Sequence, residues 1–293
     1  MSLINTIQLL VLAAIWGASF MFMRIAAPVL GPGMLIETRV GLAAVFLLVV
    51  SVILKKKLNA VKYWRHYLFL GIFNTAIPFL LFAYAALTIT ASELSILNST
   101  APIWGTMIAA IWFRNKISLK EVIGLMMGVS GVVVLIGFDT FQLQSGNLYG
   151  ILAAIMAAGC YGVASVYTRA VNIKQPYNNA HGSMWAAALV ILPLLPFFPA
   201  QPVESQHVLW SVILLGVLCT GIAYLIYFRL IEQVGAPSAL TVTFLIPMFG
   251  IFWGYLFLDE IIGWHTLTGA VLVVSGTVFV TGFSFRKSVS VEV

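Results

Sequence analysis

From Tyr67 to Phe113 the chain carries a single charged residue, Glu93. That stretch is more than twice the roughly 20 apolar residues that a helix needs to cross a bilayer. Its length and its one interruption predict two antiparallel spans joined by a tight turn. A soluble fold cannot set so long an uncharged run against water. The rest of the chain repeats the pattern. Nine acidic and fifteen basic residues make 8% of the chain charged, against 61% hydrophobic; soluble domains run near 25% and 45–50%. A soluble enzyme is therefore excluded. So is disorder, because Leu, Ile, Val and Phe are abundant. Membrane barrels are built from short alternating segments, whereas these runs are continuous. The class is all-α integral membrane.

Hydropathy and the charged gaps predict ten transmembrane helices, near residues 4–23, 34–54, 67–87, 94–113, 121–138, 148–168, 180–198, 208–228, 238–258 and 265–283. The first is expected to be a span and not a removed signal peptide, because no Lys or Arg precedes it. No loop is long enough for a separate soluble domain. Basic residues set orientation, being retained on the cytoplasmic side. With the N-terminus inside, every Lys and Arg except Arg24 and Arg39 falls on the cytoplasmic side. Glu93, Asp139, Glu204, Asp259 and Glu260 fall on the other. Both termini are therefore expected in the cytoplasm of a multi-pass protein of the bacterial inner membrane. The net charge of +6 then reflects loop chemistry, and no nucleic-acid partner is expected.

Shifted by 145 residues, the chain matches itself. Glycines pair at Gly17/Gly162, Gly71/Gly216, Gly105/Gly250, Gly124/Gly269, Gly131/Gly276 and Gly137/Gly282, far beyond chance for their abundance. Pro102/Pro247, Arg24/Arg169, Thr75/Thr220 and Ile117/Ile262 agree as well. The chain reads as a duplication, 1–145 and 146–293. Each copy holds five expected spans, an odd number, so the second copy enters the membrane from the opposite side. Such inverted repeats are an architecture of secondary transporters, with the substrate site between the halves near the midplane.

Small residues permit close helix approach in lipid. Gly124, Gly128 and Gly131 with Gly269 and Gly276 predict that the fifth and tenth spans pair and support the bundle. In the fourth span Ser95, Asn98, Pro102, Gly105 and Ala109 share one face. Pro102 and Pro247 each remove a backbone hydrogen bond, so they are candidate hinges beside a cavity.

Candidate substrate contacts are the polar and aromatic residues set at depth: Trp16, Asn74, Phe79, Tyr84, Asn98, Tyr161, Tyr224 and Tyr227. Trp16 and Tyr161 are repeat counterparts, each preceding a glycine. Glu37 is the one carboxylate inside a span. An ionised group there must be paired or wet. It is either a coupling group or a structural ion pair with Arg24 or Arg39 at the outer interface. Cys160 and Cys219 lie in apolar runs and read as buried small hydrophobes. His66, His181, His207 and His265 do not cluster with carboxylates. No metal, cofactor or catalytic constellation is expected, and the chain reads as a transporter and not an enzyme.

Four segments carry a family resemblance: Trp16 to Phe20 (WGASF), Glu37 to Arg39 (ETR), Asn74 to Tyr84 (NTAIPFLLFAY) and Glu93 to Pro102 (ELSILNSTAP). With the repeat, they make the chain resemble the EamA-type transporters of the drug/metabolite transporter superfamily. The resemblance implies alternating access around a central cavity and a small-molecule substrate. Members export amino acids or other metabolites, and some take metabolites up. In the family's aromatic-amino-acid exporters an aromatic pair precedes the fourth-span proline. Here Ser99, Thr100 and Ala101 stand in that place, which points away from aromatic amino acids. The superfamily's small multidrug exporters carry a glutamate in the middle of the first span. None stands here, which points away from bulky cationic drugs. The expected function is secondary transport, most simply export of an amino acid or related compound. The alternatives are a proton-independent exchanger or facilitator and, outside transport, a membrane-embedded enzyme or assembly factor. The partners expected are the lipid bilayer and a small-molecule substrate, for a monomer or homodimer.

Overall fold

A computed structural model describes residues 2–137, 145–173, 175–197 and 205–281. Asp139, Lys174, Glu204, Gly282, Arg286 and Lys287, used above, lie outside the described residues. Among those described, all regular structure is helical.

Helix α1 (Leu3–Ile53) has 51 residues, too many for one crossing of a hydrocarbon layer about 30 Å thick. It breaks at Gly31, where φ is 68° and ψ is 158°. Pro32 supplies no N–H and disfavours helical geometry in the residue before it, and glycine alone adopts this φ without strain. The result is two arms, 3–30 and 32–53.

Helices α2 (Ala60–Leu70) and α3 (Ile77–Ala85) are joined into one rod by a π-helical turn, Gly71–Ala76. Helices α4 (Ala91–Asn98) and α5 (Ala101–Phe113) are separated by Ser99 and Thr100. Both hydroxyls donate back into the broken turn, to the Ile96 carbonyl at 2.8 Å and the Leu97 carbonyl at 2.7 Å. Helices α6 (Leu119–Gly137), α7 (Ser145–Val171) and α8 (Pro176–Ile191) follow, the last prolonged by a 3-10 turn, Leu192–Phe197. Helix α9 (Gln206–Ile213) runs through a second π-helical turn, Leu214–Ile222, into α10 (Ala223–Val234). A short α11 (Ala236–Ala239) precedes α12 (Val242–Leu258) and α13 (Trp264–Thr281).

Among the described residues, seven helical stretches are long and apolar enough to cross a membrane: Leu3–Ile53, Ala60–Ala85, Ala91–Phe113, Asn147–Val171, Pro176–Phe197, Gln206–Val234 and Trp264–Thr281. Val242–Leu258 is a shorter apolar helix. Large apolar side chains such as Ile111, Val133 and Val271 face outward, as a lipid-facing surface requires.

The glycines set the packing. Helix α6 lies on α13, with Gly124 against Gly276 and Gly131 against Gly269, the pairing expected of the fifth and tenth segments. Gly17 of α1 meets Phe249 and Gly250 of α12, and Gly162 of α7 meets Trp104 and Gly105 of α5. Gly71 meets Ala186 and Ala187, and Gly216 meets Leu42. In each case the second contact is the first displaced by 145 residues, or that displacement reversed. Both π-helical turns obey the same displacement. So do the left-handed C-caps Arg114 of α5 and Asp259 of α12, with φ of 53° and 52°.

Candidate functional site

A cavity of about 990 Å³ lies at the centre of the bundle. This is at the upper end of the range for small-molecule sites. Seven of the eight candidate contacts line it: Trp16, Asn74, Phe79, Asn98, Tyr161, Tyr224 and Tyr227. The first arm of α1 and α10 supply one aromatic wall. Trp16 stands 5.3 Å from Tyr227 and 6.3 Å from Tyr224, centroid to centroid, and Tyr224 stacks on Phe228 at 5.7 Å. On the other side Tyr161 of α7 stacks on Phe82, which meets Phe20 edge-on.

The two π-helical turns deliver polar groups to this space. A π-turn widens the backbone and leaves some of its groups out of the regular ladder. The first turn carries Asn74, which is in polar contact with Tyr224. The second carries Cys219, whose Sγ lies 3.2 Å from the Ile15 carbonyl, and Thr220, whose hydroxyl donates to the Leu215 carbonyl at 2.8 Å.

Part of the lining follows the 145-residue displacement. Trp16 faces the space with Tyr161, Asn74 with Cys219, Phe79 with Tyr224, Asn98 with Thr243, and Ala101 with Ile246. Each pair takes one member from either half of the chain.

Five sequence-based expectations change, the fifth at Arg39. Tyr84 does not reach the cavity; it is 45% exposed on the outer surface of α3. Aromatic character fails to separate lipid-facing from cavity-facing positions, because both environments accept a ring. Pro102 lines the cavity, but it stands at the start of α5 and not within a continuous helix. There its missing N–H leaves no helical bond unmade, and the break precedes it at Ser99 and Thr100. Pro247 is buried inside α12 and borders the cavity only through its neighbour Ile246. Finally, the ion pair expected at Glu37 is not formed among the described residues. Glu37 lies off the cavity with Oε2 unpartnered. Arg24 turns to the Ala86 carbonyl, 2.6 Å from its Nη1.

Arg39, expected at the outer interface, is buried and lines the cavity. Nε donates to Thr220 Oγ1 at 3.0 Å, Nη1 lies 3.7 Å from Met23 Sδ, and the guanidinium carbon sits 3.7 Å from the centre of the Phe79 ring. The second charged residue of the lining is Arg169, which lies over Phe113. Among the described residues, no Asp or Glu lines the cavity.

At one end the cavity is bounded by Arg169, Ser238 and Thr281. The opposite end is tied. Glu260 Oε1 accepts from the Ala91 N–H at 2.6 Å, and Oε2 accepts from the Ser92 N–H at 3.1 Å and from the Ser92 hydroxyl. This places a carboxylate on the N-terminus of α4, where the helix dipole favours it. Thr90 and Glu93 close the same turn as a capping box.

The family model described as the EamA-like transporter family matches residues 4–137 and 148–282. Over 277 residues the chain is 24% identical to an uncharacterised transporter, YoaV, of Bacillus subtilis, covering 93% of this chain and 94% of that one. It is 24% identical to a probable amino-acid metabolite efflux pump of Escherichia coli, over 96% of each chain. It is 22% identical to a probable terminal-alkyne amino-acid exporter of Streptantibioticus cattleyicolor, over 66% of this chain and 64% of that one. One solved crystal structure superposes with a TM-score of 0.67 at 17% identity, over 96% of this chain and 98% of the other, a likeness of fold.

Proposed function

The chain belongs to the EamA-like transporter family, a family of membrane-embedded transporters and not enzymes, and from that premise we propose that it exports a small metabolite, an amino acid or a close relative, by alternating access. In this reading ten spans form two inverted five-helix repeats, 1–145 and 146–293, with both termini in the cytoplasm of a bacterial inner membrane. Helix α1 then counts as two spans divided at Gly31, and α6 and α12 complete the ten.

The observation that carries the proposal is the cavity lined by repeat counterparts. An inverted duplication brings equivalent positions from both halves to one central space, where a substrate can be reached from either side as the halves exchange conformations. The matched approaches of Gly17 to Gly250 and Gly162 to Gly105 support the same reading. The tie between Glu260 and Ser92 at one end, with the lining continuing to Arg169 and Thr281 at the other, fits a conformation accessible from one side. By the charge bias, the accessible side is cytoplasmic. The amino-acid substrate is supported by the names of the Escherichia coli and Streptantibioticus relatives.

One observation favours a proton-independent exchanger or facilitator over a proton-coupled pump. Among the described residues the lining holds no carboxylate, and Glu37 stands apart from it. Uptake and counterflow in proteoliposomes, with labelled amino acids, nucleosides and small cations, with and without a pH gradient, test both readings. Saturable counterflow that ignores the gradient and survives Glu37→Gln is the expected result. Flux that follows the gradient and vanishes in Glu37→Gln assigns Glu37 to the coupling cycle. No flux of any compound overturns transport of these classes.

A further inference from the structure

Arg39 is 5% exposed, within a helical bundle whose outer surface is apolar. A guanidinium in such surroundings is strongly destabilising unless it is paired or faces a polar cavity. Among the described residues every partner it has is neutral: the Thr220 hydroxyl, the Met23 sulfur and the face of Phe79. Nε and Nη1 are engaged; the fork of five N–H donors has others that no described residue meets. No carboxylate pairs with it among the described residues.

The surroundings hold the fork still and leave its open side on the cavity. The Thr220 proton is committed to the Leu215 carbonyl by the π-helical turn, so a lone pair of that oxygen faces Nε. Phe79 covers one face of the guanidinium plane. Tyr161 and Tyr224 lie close enough to feel its charge, and Asn74 touches Tyr224. Hydroxyl and amide donors beside a fixed guanidinium suit a planar oxyanion, which accepts from several directions at once.

The repeat shows that this cation is not part of the scaffold. The counterpart of Arg39 under the 145-residue displacement is Met184, fully buried and apolar. Helix packing at this position is thus satisfied by a methionine in the other half, and a charge is present in one half only. With Arg39 and Arg169 as its charged lining residues, the cavity attracts anions and repels cations.

We propose that Arg39 anchors the substrate through a carboxylate, with the aromatic wall of Trp16 and Tyr227 taking the remainder of the molecule. This deepens the transport reading and rests on it. It assigns the substrate to acids and zwitterions and excludes simple amines, polyamines and quaternary cations. Loss of one partner from a desolvated charge-assisted pair lowers affinity by about 30-fold or more. A structural arginine would leave no such mark on selectivity.

The test uses the full chain in proteoliposomes. Counterflow is measured with labelled L-amino acids, their carboxamides and their decarboxylated amines, for wild type, Arg39→Lys and Arg39→Gln, with acetate and inorganic phosphate as competitors. The expected result is acid flux about 30-fold above amide and amine flux in wild type. Arg39→Gln should raise the KM for acids by a similar factor, Arg39→Lys should fall between, and acetate should compete better than phosphate. Amides or amines moved as fast as acids by wild type, a comparison that needs no variant to fold, would overturn the anchor while leaving transport intact. So would acid flux within about threefold of wild type in Arg39→Gln, or phosphate competing better than acetate. Absence of all flux would overturn the transport reading. The anchor is then judged by thermal unfolding in detergent: stabilisation by the acids in wild type that is lost in Arg39→Gln supports it, and no stabilisation overturns it.

Discussion

Replacing Gly276 by alanine places a methyl group where no side chain can yield. A Cβ there would lie 2.6 Å from the Gly124 carbonyl oxygen, 2.7 Å from the Gly128 nitrogen and 3.1 Å from the Gly128 Cα. All three are backbone atoms of α6, so rotamer changes cannot relieve the clash, and α13 must move. Ordinary contact begins near 3.4 Å, so the two helices must part by about 0.8 Å at this point. Parting them loosens Gly131 from Val273 and Gly269 from Leu135 along the same seam. Overpacking costs about 1–3 kcal/mol, and against backbone that cannot yield this case falls at about 2–3 kcal/mol, offset by the roughly 1 kcal/mol by which alanine exceeds glycine in helix propensity. Gly276→Ala should therefore destabilise the protein by about 1–2 kcal/mol. Gly41 is the control. It is also helical, but a Cβ there meets nothing within 4 Å, so Gly41→Ala should be neutral or stabilising by up to about 1 kcal/mol. Gly124→Ala repeats the clash from the other side, 2.6 Å from the Gly276 carbonyl. Once either alanine has parted the helices the second costs less, so the double variant should lose less than the sum. Reversible unfolding in mixed micelles, titrated with SDS and followed by tryptophan fluorescence, measures all four. Gly276→Ala as stable as wild type, or an additive double variant, would refute the close backbone approach of α6 and α13.

Tyr84→Ala, at an outward-facing position, should leave flux within about twofold of wild type, whereas Tyr161→Ala, in the lining, should lower it about tenfold or more; equal losses would show that the cavity is not the substrate path. Glu260→Ala removes the acceptors that tie residue 260 to the start of α4. In a chain with its two native cysteines replaced by alanine, it should raise severalfold the maleimide labelling of a cysteine placed at Ser95, which is fully buried against α12. Unchanged labelling would mean that Glu260 caps α4 without closing the end.

The helical membrane class was legible because lipid imposes a constraint that composition cannot hide: few charges and long apolar runs. The seam between α6 and α13 was legible for a related reason, since close approach in lipid requires small residues and these recur at matching positions. The cavity gathers Trp16, Asn74 and Asn98 because polar or amphipathic groups at depth must find something other than lipid. Arg39 escaped this reasoning. It stands two residues from Glu37 and a short way into its segment, so hydropathy alone suggested an interfacial ion pair. What turns it inward is the rotation of the second arm of α1, set by the break at Gly31 and by Leu42 seated on Gly216. The π-helical turns were equally invisible, because widening a turn changes neither the apolar character nor the length of a span. Tyr84 went astray in the opposite direction, as a ring at depth that lipid itself accommodates.

The displacement that relates the halves governs backbone features more strictly than side chains. Glycine approaches, π-helical turns and left-handed caps recur as pairs, while paired lining residues differ, tryptophan against tyrosine and asparagine against cysteine, and the counterpart of the lining residue Arg39 is a methionine outside the lining. Under the proposed inverted repeat, two requirements explain this division. If the halves are to exchange conformations, their packing surfaces must be equivalent, so that each approach broken on one side can be remade on the other. A substrate has no such symmetry. An amino acid presents a carboxylate at one point and an apolar or polar side chain at another. A lining with the same residue on both sides of the axis would hold it equally well in two opposed orientations. On the proposed reading, a guanidinium whose repeat counterpart carries no charge removes that degeneracy, since only one orientation meets Arg39. Arg24 and Arg169, in contrast, are conserved between the halves and lie toward opposite ends. Arg24 there holds the Ala86 carbonyl at the tied end, while Arg169 rests on Phe113 beside the lining. Ile231 is the counterpart of Ala86. In the exchanged conformation Arg169 would take the Ile231 carbonyl as Arg24 now takes that of Ala86, and Arg24 would be released. On the proposed reading, the paired arginines belong to the motion and the unpaired one to recognition.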